Sequence, residues 1–120
     1  MPLCHYWIVT YHPNPIREDR VSIGVIASDD LTVECMFIRT PEALPITQPP
    51  EYLAEGIRDL EETIRNLNTP SNPAPPYNQI EHYRAHLNNT YQLTAPRIAS
   101  SASGVGEAVE DLYRAFVAPD

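Results

Sequence analysis

Apolar positions in the first forty residues recur with a period of two. In "CHYWIVTY" (4–11), Trp7, Val9 and Tyr11 point one way and Tyr6 and Ile8 the other. Both faces are apolar, the pattern of an interior strand covered on both sides. "RVSIGVIAS" (20–28) alternates more cleanly, with Val21, Ile23, Val25 and Ala27 on one face and Ser22, Gly24 and Ser28 on the other. "DD" at 29–30 marks a tight turn, and "LTVECMFIRT" (31–40) returns as a third strand with Leu31, Val33, Cys35 and Phe37 aligned. The prolines of "PEALPITQPP" (41–50) make a loop. The period then changes. Leu53, Ile57, Leu60, Ile64 and Leu67 fall on one helical stripe and predict an amphipathic helix over 51–67, with Pro49 and Pro50 suited to its first turn.

"NTPSNPAPP" (68–76) ends that helix as a stiff connection. Asn78 followed by Glu81 has the form of a capping box, which opens a short helix over 79–88 with Ile80, Tyr83 and Leu87 facing inward. "TYQLTAPRIA" (90–99) reads as a fourth strand, stopped or bulged at Pro96. Val105, Val109, Leu112 and Phe116 mark a last helix over 105–117. The order β-β-β-α-α-β-α predicts an α+β fold, a mostly antiparallel sheet with helices packed on one face. At this length the expectation is one domain, 1–120.

Composition narrows the function more than the fold. An apolar share of 42% is enough for one modest core, and the thirteen prolines gather in connections. The formal charge is −8, and every one of the eight cations is arginine. Schiff-base chemistry and a phosphate-loop lysine are therefore excluded. An acidic chain with no basic run lacks the electrostatic footprint of a nucleic-acid binder and suits a basic partner surface instead. Cys4 and Cys35 have no CxxC spacing, so buried free thiols are expected. "MPLCHYWIVTYHP" lacks a cationic start and an apolar leader, and no apolar run approaches a membrane span, so a cytoplasmic protein is expected.

Candidate chemistry is sparse. His82 and His86 sit four apart in "EHYRAH", a spacing that puts both imidazoles on one helical face as metal sites require. The glutamate is misplaced for HExxH and no third ligand is spaced to help, so neither metal nor other cofactor is expected. Glu51, Glu55 and Asp59 form an acidic line at i, i+4 and i+8. It reads either as a solvated face, with Glu61–Arg65 and Arg58–Glu62 as neutralising pairs, or as an interface for a basic partner. "REDR" (17–20) lies between the first two strands in a connection stiffened by Pro13 and Pro15 and anchored by Ile16. Arg17, Glu18, Asp19 and Arg20 read either as a self-paired surface clasp or as a recognition loop in which Arg17 grips a carboxylate.

"VTYHPNPIREDRVSIGVI" (9–26) resembles the opening of an uncharacterised bacterial family, domain of unknown function 3037, with matches at Tyr11, Pro13, Pro15, Arg17, Asp19, Gly24 and Val25. Residues 91–117, "YQLTAPRIAS…EDLYRAFV", are similar to that family's closing strand and helix. Thr10, Asn14, Arg20 and Ser22 depart from the pattern, where the family has Arg, Asp, an apolar residue and Asn. A charged cluster built from that Arg and Asp is lost here. The resemblance implies no established activity. It implies a small cytoplasmic protein, often encoded beside a HipA-like kinase, that acts as an accessory partner.

Together these features predict a non-enzymatic protein-interaction or regulatory module of a bacterial or phage accessory system, whose partner is another protein such as a HipA-like kinase or a defence-system component. Two rivals come from other classes. One is an acidic inhibitor occupying a nucleic-acid-binding groove. The other is a small metal-dependent hydrolase built on His82 and His86.

Overall fold

A strand with two apolar faces must sit inside a sheet and be covered from both sides, and β1 (Leu3–Tyr11) does both. The computed structural model describes residues 3–12, 21–29, 32–38, 53–66, 76–87, 91–100, 102 and 104–117. Within them β1 is followed by β2 (Val21–Ser28), β3 (Val33–Phe37), α1 (Leu53–Asn66), α2 (Pro76–Ala85), β4 (Tyr91–Leu93), β5 (Arg97–Ser100) and α3 (Val105–Phe116). The sheet runs β3-β2-β1-β4, with β5 also pairing β1, and every pairing is antiparallel.

The expected α+β layout holds, with one change in the layering. Trp7, Val9 and Tyr11 of β1 cluster with Ile57, Leu60 and Ile64 of α1 and Ile80 of α2. Cys4, Tyr6 and Ile8 cluster instead with Val105, Ala108 and Val109 of α3. Alternation along β1 puts these two sets on opposite faces, so α1 and α2 cover one side and α3 the other. One helical layer would have left Tyr6, Ile8, Val25 and Ala27 in water.

Two irregularities re-aim side chains. Val9 pairs with Gly24 but Thr10 pairs with Ser22, so Ile23 is an extra residue in β2. The bulge breaks the alternation expected for 20–28. Val25 and Ala27 face α3, whereas Ile23 and Val21 pack with the α1/α2 cluster. The expected fourth strand is likewise split. Leu93 pairs with Val9 and Arg97 with Tyr6, which leaves three residues (94–96) opposite two (7–8). Pro96 has no N–H to contribute there, and Thr94 bridges the gap. The Ile8 N–H donates to Thr94 Oγ1 at 3.1 Å, and the Thr94 N–H donates to the Ile8 carbonyl at 3.0 Å.

The turn after β2 forms where two aspartates marked it. Asp29 Oδ1 accepts from the Thr32 N–H at 2.7 Å and from its hydroxyl at 2.9 Å. Helix α2 differs from expectation at its start. It begins at Pro76, where a missing N–H costs nothing, so Asn78 lies inside the helix rather than capping it. Glu81 is consequently free for another task. It accepts from Trp7 Nε1 at 3.4 Å and pairs with Arg84 Nη1 at 3.2 Å, while Arg84 Nε donates to the Leu93 carbonyl at 3.4 Å. This relay ties α2 to β1 and β4.

Candidate binding groove

Helices on opposite faces of a sheet leave its edge open between them, and among the described residues β3 is such an edge. The Ile38 N–H donates to the Ile23 carbonyl at 2.8 Å, and the register continues Met36↔Val25 and Glu34↔Ala27. N–H and C=O directions alternate along an antiparallel strand, so Glu34 and Met36 direct theirs at β2. Cys35 and Phe37 direct theirs away from the sheet. No strand among the described residues receives them.

The space beyond that edge is a groove of about 770 Å³. Its floor is β3, one wall is α1 through Ile57, Arg58, Glu61 and Arg65, and the other is α3 through Gly106, Glu107, Val109 and Glu110. Four carboxylates (Glu34, Glu61, Glu107, Glu110) face two guanidinium groups along it. One of the two is already engaged, since Arg65 Nε lies 3.3 Å from Glu61 Oε1. That is the i, i+4 pair expected from sequence. Arg58 and Glu62 do not close the second expected pair among the ion pairs of the described residues.

Cys35, at the groove floor, has its side chain buried toward α1. Burial pushes its thiol up to about 11, with Glu61 and Glu34 reinforcing the rise and Arg65 opposing it. Desolvation raises Cys4 as well, aided by the nearby Asp29 charge. Neither sulfur is a thiolate nucleophile near neutral pH. The raised value also has a consequence for stability. An unfolded thiol loses its proton near pH 9, while folded Cys35 keeps its proton to about 11. The unfolded state is therefore favoured progressively between those values, and folding stability falls as pH rises through that window. Urea titrations from pH 8 to 11 should show the decline, and Cys35→Ala should reduce its slope, leaving the parts due to Cys4 and to Tyr83, whose hydroxyl burial also raises. An identical slope in the variant would rule Cys35 out as its source.

The residues singled out in the sequence fall elsewhere. Arg17, Glu18, Asp19, Arg20 and Glu51 lie outside the described residues. Glu55 and Asp59 are exposed on α1 and do not line the groove. The α1 wall instead presents Glu61, two residues beyond Asp59 and paired with Arg65. His82 and His86 are exposed with rings 4.3 Å apart. His86 Nδ1 lies 2.8 Å from the His82 carbonyl, an acceptor only, so that nitrogen carries the proton and donates. Among the described residues no third ligand joins them.

Sequence reading missed Glu34, Glu107 and Glu110. Glu34 had a local signal, as the one charge in an otherwise apolar strand. The α3 carboxylates carried none, because only the fold brings them to β3. No helix among the described residues is long and apolar enough to cross a membrane. A scan against protein-family models, a search of curated proteins and a search of solved structures each return no match.

Proposed function

We propose that this chain is a non-enzymatic protein-interaction module that works through the β3 groove. The observation that carries the reading is the outward-directed backbone of Cys35 and Phe37, set between two helical walls. Unpaired strand edges bind other chains through main-chain hydrogen bonds, and natural folds usually cover, charge or shorten them. β3 is short and carries Glu34, which discourages indiscriminate pairing, yet the walls leave room for a selected partner. Neither raised-pKa cysteine is poised as a nucleophile, and the two histidines face solvent without a third ligand among the described residues.

The resemblance of residues 9–26 and 91–117 to domain of unknown function 3037 makes a HipA-like kinase encoded nearby the first partner to try. The chain should be purified from its native host with neighbouring genes intact, the companion identified, and the complex rebuilt from purified components. Glu34→Lys combined with Glu107→Lys, after its melting temperature is shown to match the wild type, is expected to abolish that rebuilt complex. A complex of unchanged affinity would move the interface away from the groove.

A further inference from the structure

The two walls of the groove differ in charge, and a strand laid along β3 would present alternate side chains to each. Glu34 and Met36 sit on the α3 side of the sheet, in register with Ala27 and Val25 of the α3 cluster. Glu34, Glu107 and Glu110 therefore share that side, and among the described residues no cation of the groove lies with them. Cys35 and Phe37 belong to the α1 cluster, on the side where Arg58 accompanies the Glu61–Arg65 pair. Among the described residues one face of the groove is acidic, and the other is near neutral over an apolar floor.

From this asymmetry we infer that the occupant is an extended basic segment of a partner protein, added to β3 as a further strand. It carries lysine or arginine at every second position facing α3, and apolar or uncharged residues at the intervening positions facing α1. Strand side chains alternate between faces with a period of two, so one register satisfies both walls at once. The backbone of Cys35 and Phe37 supplies the main-chain hydrogen bonds. A second copy of this chain is a poor occupant. Its own β3 would set the same carboxylates against these, between two molecules that each carry a net charge of −8. The inference rests on the interaction-module reading and names the partner's chemistry at the same groove.

The test uses the full chain and a capped peptide of about eight residues that alternates lysine with valine or threonine. Affinity is measured by calorimetry, and amide hydrogen exchange is followed residue by residue. The peptide is expected to bind and to slow exchange at Cys35 and Phe37 by about tenfold or more, since these amides gain acceptors. Glu107→Lys with Glu110→Lys should weaken binding about tenfold, because two exposed attractions become repulsions. A peptide with glutamate in place of lysine should not bind, and one N-methylated at alternate positions should lose affinity although its charge is unchanged. Four results overturn the proposal. They are no binding of the lysine peptide, binding that leaves Cys35 and Phe37 unprotected, protection of those amides in the free monomer, and protection that appears only as the chain dimerises. Protection in the free monomer would also close the open edge on which the interaction-module reading rests; the other three results leave that reading to the rebuilt native complex.

Discussion

Trp7→Ala is expected to cost about 3–5 kcal/mol of folding stability, the usual range for truncating a large buried aromatic side chain. The indole is 0% exposed and stands where three elements meet. Its ring lies 5.7 Å from Tyr77 of α2, it shares a cluster with Ile57, Leu60 and Ile64 of α1, and its Nε1 donates to Glu81. Small domains have about 5–15 kcal/mol in total, so the variant approaches the point at which folded and unfolded chains coexist. Trp7→Phe separates packing from polarity. It keeps most of the apolar volume and removes the donor, but Glu81 retains Arg84 as a partner at 3.2 Å. No carboxylate is orphaned, so the expected loss is only about 1–2 kcal/mol. Urea denaturation followed by far-UV circular dichroism reads both variants without relying on the tryptophan they lack. Equal losses for the two would place the energy in the hydrogen bond, and a negligible loss for alanine would remove Trp7 from the centre of the core.

The parts of the fold that were legible in the sequence are those set by local periodicity. The two-faced run of β1 announced an interior strand, and the 57–60–64 stripe of α1 announced its buried side, because burial of one stripe needs only a 3.6-residue repeat. Where local pattern and tertiary geometry disagree, the sequence is silent. Val21, Ile23, Val25 and Ala27 alternate without a break, yet Ile23 is a bulge. The pattern cannot show this because both faces of the sheet are apolar, so a residue turned to the other side still finds a core. Placing α3 on the second face follows from the same two-sidedness, which β1 displayed openly but which a strands-then-helices order obscured. The groove was the least legible feature. β3 is an edge only because β4 and β5 pair on the far side of β1, some sixty residues further along the chain.

That arrangement gives the interaction reading its physical content. A strand followed directly by a helix that returned to its own edge would cover its backbone. Here the chain leaves β3, lays α1 and α2 across one face, fills the opposite edge of the sheet with two short strands, and only then lays α3 across the other face. The walls thus come from segments distant in sequence, while the proposed recognition surface between them is backbone. Substitutions there change charge and shape at the rim without touching the main-chain donors and acceptors, so specificity and affinity can be tuned separately.

Gly24→Val is the second substitution expected to be severe, at about 3 kcal/mol. Glycine in the middle of a central strand weakens it, so its presence in β2 needs a reason. Gly24 is opposite Phe37 on β3 and Val9 on β1, and the Phe37 ring occupies the space a side chain would use. A Cβ built there would lie 2.5 Å from one ring carbon, 2.8 Å from a second and 2.9 Å from a third. No rotation of a flexible tip relieves three contacts with one ring, which is itself buried against α1. Overpacking of this kind costs about 1–3 kcal/mol, and valine, with two further methyl groups beyond the Cβ, belongs at the upper end. Phe37 also floors the groove, so the ring that displaces a side chain from Gly24 helps hold the β3 edge in place. A double-mutant cycle isolates the clash. Phe37→Leu alone removes packing and should destabilise, but in the Gly24→Val background it also vacates the space the valine needs. The double variant should therefore be more stable than the sum of the single losses by about 1 kcal/mol or more. Strict additivity would mean that Gly24 is required by the bulge at Ile23 rather than by the ring, and the Phe37 explanation would be withdrawn.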